Sequence, residues 1–188
     1  MKNAKEEACK LFGIATPVLT IHGVGGQKWK RNVKSGSRIG PWLQGEYKIL
    51  NDAAWKEKAP CLYIVSTGAK SYHYAGISRN RLKDRWRTSP AYDAISMQRL
   101  AKDQIFHSQC WKNIERESAL KPDLIFEIRS IKGETITQNQ HIFNAEIRGL
   151  SVVFAEDGES LVASIERLLC NNKGPDFFNW NIAMTAKK

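Results

Sequence analysis

The chain predicts an α+β fold, a small, mostly antiparallel sheet flanked by helices. Three observations carry that reading. Two β-branched and aromatic runs, Cys61-Leu62-Tyr63-Ile64-Val65-Ser66-Thr67 and Tyr72-His73-Tyr74-Ala75-Gly76-Ile77-Ser78, flank a turn at residues 68–71, which predicts a hairpin over 61–78. Residues 159–172 carry Leu161, Ile165, Leu168 and Leu169 at helical period, behind Asp157 as a capping residue. With 188 residues, of which 42% are apolar, the chain can bury one real core as a single domain, and disorder throughout is excluded.

Taken in order, residues 1–12 pattern as a short amphipathic helix with Ala4, Ala8, Leu11 and Phe12 on one side. Residues 18–21 predict a strand. Residues 23–40, rich in Gly, Ser, Lys and Arg, read as a long basic loop. The run Gly-Val-Gly-Gly-Gln-Lys within it lacks the spacing and the Ser or Thr of a Walker-type phosphate loop. Residues 41–50 predict a short helix or turn. After the hairpin, Ser78 stands where it could N-cap a helix over 79–87, with Leu82 and Trp86 on one face.

Residues 91–121 read as helical, with a break near His107. Residues 123–131 alternate as a strand, and Lys132-Gly133-Glu134 follows as a turn. Residues 142–154 look strand-like, chiefly Leu150-Ser151-Val152-Val153-Phe154, and Gly174 and Pro175 end the last helix.

Lys plus Arg total 29 against 19 Asp plus Glu, a net charge of +10. Residues 8–45 contain no acid and six bases: Lys10, Lys28, Lys30, Arg31, Lys34 and Arg38. Such an excess points to a polyanionic partner, most often nucleic acid. No run approaches the apolar length of a membrane span, and the N-terminal residues lack the apolar stretch of a secretory signal. A cytoplasmic location without membrane partners is the expectation. Cys9, Cys61, Cys110 and Cys170 form no Cys-x-x-Cys pair, so reduced, mostly buried thiols are expected in place of a zinc site.

Four polar side chains fall where burial is expected. Tyr63 and Tyr74 lie 11 residues apart on the two strands, close enough for a tight hairpin to bring their rings together. Arg85 follows Leu82 by about one helical turn. Glu166, between Val162 and Leu169, flanks an apolar helix face where a carboxylate needs a cation or a donor. Taken singly, each is more often a packing or surface residue. Their order and spacing make a motif.

That motif resembles the GIY-YIG nucleases. Cys61-Leu62-Tyr63 stands where the family has Gly-Ile-Tyr, and Tyr74-Ala75-Gly76 where it has Tyr-Ile-Gly. Leu82-Lys83-Asp84-Arg85 resembles the helix of the catalytic arginine. Glu166-Arg167-Leu168-Leu169, followed by Pro175 and Asn179, resembles the closing helix with its metal-binding glutamate and later asparagine. The histidine that many members carry about one turn after the arginine is absent, Ser89 standing there, and His107 is a candidate proton carrier from elsewhere. The resemblance implies a catalytic core over 61–87 and 150–181, a basic N-terminal extension over 1–60, and a long insertion over 88–149.

The implied catalytic set is Tyr63, Tyr74, Arg85, Glu166 and Asn179, with Glu166 holding Mg²⁺ or Mn²⁺. A divalent cation offsets phosphodiester charge, a guanidinium donates to the phosphate, and a tyrosine near a cation could take the proton as phenolate. Which tyrosine does so stays open. Phosphate contact is expected from Lys28, Lys30, Arg31, Lys34, Arg38, Lys70, Arg79, Arg81, Lys83 and Arg87. Glu159, the competing carboxylate, is expected only to complement its helix end, and His73 to alternate onto the face opposite its neighbours.

The implied activity is Mg²⁺-dependent cleavage of double-stranded DNA by a compact sequence-specific type II restriction endonuclease, acting as a homodimer or by successive nicks. A non-catalytic nucleic-acid-binding module and a repair or RNA-directed nuclease or toxin are the alternatives.

Overall fold

The computed structural model describes residues 4–28, 42–68, 71–86, 109–171, 178, 180 and 181. It is an α+β protein built on a five-stranded sheet: β1 (Thr16–Lys28), β2 (Trp42–Ile49), β3 (Cys61–Ser66), β4 (Tyr72–Ser78) and β5 (Phe126–Lys132). Their order is β2-β1-β5-β3-β4, and every neighbouring pair is antiparallel. All six residues of β3 are buried, which is why this strand reads as an unbroken apolar run: it is covered on both faces.

Each face carries its own core. On one, Tyr63, Val65 and Ile128 pack with Trp55 of helix α2 (Asp52–Lys56), Leu82 of α3 (Leu82–Arg85) and Trp111 of α4 (Gln109–Leu120). On the other, Leu62 and Ile64 pack with Leu11 of α1 (Ala4–Ile14), Ile136 of α5 (Gly133–Gln138), Ile147 of α6 (Ala145–Val153) and Ile165 of α7 (Gly158–Cys170). All four cysteines are free thiols, and burial pushes Cys61 and Cys170 up to about 12, far from a reactive thiolate at neutral pH. No described helix is long and apolar enough to cross a membrane.

The predicted hairpin forms, as do the first and last helices and the strand near 123–131. Asp157 caps α7, accepting from Ser160 N at 3.0 Å. Elsewhere tertiary pairing overrides local pattern. Residues 42–49 are a strand, paired with β1 from Leu19↔Ile49 to Lys28↔Trp42. β1 runs well beyond residue 21 because register shifts between Ile21 and Gly23 and between Gly25 and Gln27 absorb the glycines that read as a loop.

The helix expected over 79–87 is one turn, and Ser78 does not cap it. Its Oγ donates to Asn80 O at 2.7 Å, and Arg81 sits at the cap position. The turn expected at 132–134 is the start of α5, where Gly133 packs so closely on Gly158 that a Cβ would lie 2.6 Å from its Cα. Residues 145–153 form α6 in place of a strand. Asn144 Oδ1 caps it at Ile147 N (3.0 Å), and Ile147 and Ser151, four apart, are its buried positions, while Val152 and Val153 face solvent.

The segments read as extension and insertion are part of this sheet. Residues 1–60 supply β1 and β2, and β5 from the 88–149 segment is the central strand, bonded to both β1 and β3.

Candidate active site

Tyr63 lies opposite Gly76 in the β3–β4 ladder, and Tyr74 lies opposite Val65, so the two tyrosines are diagonal neighbours on one face. Their rings stack at 5.9 Å with 25° between planes. Room for this comes from Gly76: an added Cβ would stand 2.6 Å from the Tyr63 hydroxyl and 2.6 Å from Tyr74 Cε1.

Arg85 ends α3 with its guanidinium over the pair. Its Nε donates to the Tyr63 hydroxyl at 3.3 Å, and the Tyr74 hydroxyl is also within its hydrogen-bonding reach. Nearness to Tyr63 is the chief influence raising the Arg85 pKa further, and the guanidinium is charged throughout the ordinary pH range regardless. Beneath this group, Trp86 meets Tyr63 edge-on at 5.5 Å, and the buried Cys110 thiol of α4 lies close enough to act on both phenols.

Glu166 reaches the cluster from the opposite layer. Helix α7 packs against β3 and β4, and β4 is an edge strand, so a side chain on α7 can turn around the sheet edge. The outward-pointing Ile77 N–H lies beside the carboxylate and, with Arg85, Arg167 and Arg79, favours its charged form. Burial is the largest influence and raises its pKa above the ordinary 4.5, with Arg85 first among the groups pulling it back.

The rest of the β4 edge is served by the C-terminal segment. Trp180 N donates to His73 O at 3.2 Å. Asn181 clamps Ala75, accepting its N–H at Oδ1 (3.1 Å) and donating from Nδ2 to its carbonyl (2.6 Å). Residues 73, 75 and 77, the alternate positions along the free edge, are thus met by Trp180, Asn181 and Glu166 in turn.

Tyr63, Tyr74, Arg85 and Glu166 therefore belong to one cluster. Asn179, His107, Lys30, Arg31, Lys34, Arg38, Lys70 and Arg87 lie outside the described residues, and Lys28 is described only as the last residue of β1. Arg79, Arg81 and Lys83 are exposed near the cluster. Arg79 pairs with Glu159 at 2.5 Å and Arg81 with Asp84 at 2.8 Å. Glu159 thus has an ion-pair role beyond its place in the first turn of α7.

Two further expectations change. A β-bulge between Val65 and Ser66 takes His73 out of simple alternation. Tyr72 and Tyr74 consequently join different cores, while His73 stacks on Trp180 at 4.8 Å and contacts Thr67 Oγ1 at 2.6 Å. The phenols also shift opposite to the phenolate expectation. Burial, the dominant cause, pushes Tyr63 well above its ordinary value and Tyr74 upward too, so both are neutral phenols at neutral pH in the free protein.

The sequence did not mark Asn181, Cys110 or Trp111 for the cluster, and it placed Trp86 only on a helix face with Leu82. The signal for Asn181 was the Asn-Trp-Asn run at 179–181: either amide carries the donor and acceptor needed to finish a strand edge.

Among the described residues no group of three or more His, Cys, Asp or Glu gathers, so Glu166 is the carboxylate this cluster offers a metal. With only one backbone N–H on it, Glu166 retains acceptor capacity. One carboxylate plus waters and phosphate oxygens is a donor set that suits Mg²⁺.

No family model matches the chain, and no curated protein or solved structure matches it.

Proposed function

We propose that this protein is an endonuclease of GIY-YIG type that hydrolyses DNA phosphodiester bonds with Mg²⁺ or Mn²⁺. The observation that supports this best is the gathering of two phenols, a guanidinium and a buried carboxylate around one sheet edge, from four separate elements. A packing role accounts for the tyrosines. It does not account for Glu166, whose ionisation burial disfavours and which a neutral residue of similar shape would replace at a gain in stability.

Glu166 would hold the metal, which supplies charge neutralisation at the phosphate and at the leaving oxygen. Arg85 is poised to exchange its tyrosine contacts for non-bridging phosphate oxygens as charge builds on them. Tyr74 is a phenol on which the Glu166 charge acts and is slightly the more exposed of the two. As a neutral phenol it would orient the attacking water by hydrogen bonding, while Tyr63, held by Arg85 and Gly76, fixes the Tyr74 ring. Exposed Arg79, Arg81 and Lys83 offer phosphate contacts beside the cluster.

The finer reading is a sequence-specific type II restriction endonuclease acting on duplex DNA, as a homodimer where both strands are cut together. Incubation of phage DNA with the protein and Mg²⁺ tests it. Discrete fragments that vanish in Glu166→Gln support restriction, and a smear supports a non-specific nuclease. Intact but retarded DNA identifies a binding module and removes the catalytic reading.

A further inference from the structure

Trp111 lies wholly buried between β2 and the tyrosine–arginine cluster. On one side its benzo ring lies against Gly45 of β2. An added Cβ there would come within 2.7 Å of Cζ3 and 3.3 Å of Cζ2, so only a glycine lets strand and ring meet. On the other side its Nε1 donates to the Trp86 carbonyl at 3.1 Å, and its ring meets the Trp86 ring edge-on at 5.4 Å and 72°.

Trp86 then carries the contact forward in two ways. Its ring abuts Tyr63, and its backbone directly follows Arg85. Among the described residues the Trp86 indole N–H finds no hydrogen-bond partner, and ring packing on Tyr63 and Trp111 orients it. Trp111 thus fixes the backbone beside Arg85 through a hydrogen bond and the Tyr63 ring through Trp86. These are the two ends of the Arg85–Tyr63 bond.

We propose that Trp111 is a positioning residue that ties the seating of β2 to the Arg85–Tyr63 pair. Close-packed rings have no slack, so a displacement at Gly45 is passed on to Trp86. β1 and β2 flank residues 29–41, where the sequence carries Lys30, Arg31, Lys34 and Arg38. The consequence for DNA cleavage rests on the proposed nuclease function; the mechanical coupling does not.

The test uses the full chain and three variants: Gly45→Ala, Trp111→Phe, and the two combined. Hydrogen exchange at residues 82–86 reads the coupling without activity, because the Trp86 amide is bonded to Leu82 O at 2.9 Å. Gly45→Ala is expected to speed that exchange by about tenfold or more, a local opening far from the substitution in sequence. It is also expected to lower kcat by about 10²-fold, as for a small misplacement of reacting groups, with KM within about twofold. The shorter Phe ring makes room for the new methyl, so in the combined variant Gly45→Ala should add little to the effects of Trp111→Phe alone.

Wild-type exchange at 82–86 in Gly45→Ala, or a combined variant in which the two single effects simply add, overturns the proposal. If Gly45→Ala fails to fold, Trp111→Phe decides alone, since it keeps a ring and deletes the donor to Trp86: faster exchange at 82–86 supports the coupling and unchanged exchange overturns it. If the wild-type protein cuts no DNA, the nuclease reading fails while the exchange arm still decides the coupling.

Discussion

Gly76 stands directly across the β3–β4 ladder from Tyr63, and the Tyr63 phenol occupies the space where a side chain at 76 would begin. The glycine of the Tyr-Ala-Gly run is therefore a steric requirement of the tyrosine eleven residues before its first member. Gly76→Ala adds one methyl against the ends of two packed rings. Overpacking of this kind is expected to cost about 1–3 kcal/mol, read by urea unfolding. Tyr63→Phe/Gly76→Ala should cost less than Gly76→Ala alone, because the hydroxyl nearest the new methyl is gone. Additive costs would mean the two positions do not share that space.

Arg85 donates to the Tyr63 hydroxyl and is only partly buried, so its removal tests chemistry more than folding. Arg85→Lys keeps the charge and loses the planar fork. Plasmid cleavage should fall by about 10²–10³-fold, the usual loss for one donor aimed at developing charge, with the melting temperature nearly unchanged. Full activity in Arg85→Lys would assign Arg85 to holding Tyr63 and no more.

The hairpin was legible because two β-branched and aromatic runs flank a short turn, and the last helix because Leu161, Ile165 and Leu169 repeat at a clean period on α7. With them came Tyr63, Tyr74, Arg85 and Glu166. What sequence did not show depends on contacts between distant segments. β2 is a strand because β1 offers it an edge, although Gly45 argues locally against one. A single bulged residue turns His73, which no period-two rule can register. Val152 and Val153 suggest a strand, yet Asn144 starts a helix and leaves both in water. Trp111 and Cys110 reach the cluster from an unmatched stretch, and Asn181 clamps the β4 edge, a role no spacing rule marks two residues beyond Asn179.

Asn181 is tested by its effect on the strand it clamps. Asn181→Ala leaves the Ala75 N–H and carbonyl without their partner, at an expected cost of about 1–3 kcal/mol and with faster exchange of the Ala75 amide. Asn179→Ala should leave that amide unchanged. The reverse pattern, protection lost only in Asn179→Ala, would take the edge-capping role from Asn181.

Phosphate contact beside the cluster is read from salt dependence. Lys83 is exposed, whereas Arg79 and Arg81 are held by Glu159 and Asp84. If all three touch DNA, each substitution to Ala should reduce the slope of log affinity against log salt by about one unit. Glu159→Gln, which frees Arg79, should tighten binding at low salt and steepen the slope. An unchanged slope in all four variants would make these residues ordinary solvated surface.

Glu166→Gln separates function from stability most sharply, because the two should move in opposite directions. The carboxyl is more easily protonated in the folded chain than in the unfolded one, since burial outweighs Arg85 and the Ile77 N–H. Its contribution to stability is then fully present below the unfolded value near 4.5 and is lost as pH rises through the higher folded value. Glutamine keeps the shape and an acceptor for Ile77 N–H and carries no charge. In EDTA, Glu166→Gln should therefore melt above wild type at pH 7, by about 3 °C if the gain is about 1 kcal/mol. The difference should shrink as the pH is lowered from the raised folded value towards 4.5, the window in which the folded wild-type carboxyl becomes neutral. In Mg²⁺ the same variant should lose cleavage by orders of magnitude, since each 1.4 kcal/mol of lost metal stabilisation is about tenfold in rate. Metal-free DNA binding should hold or tighten, because a negative charge facing phosphate has been removed. A variant that melts lower at pH 7 and still cuts at the wild-type rate would make Glu166 a structural anchor of the β4 edge, and the metal would have to be held elsewhere.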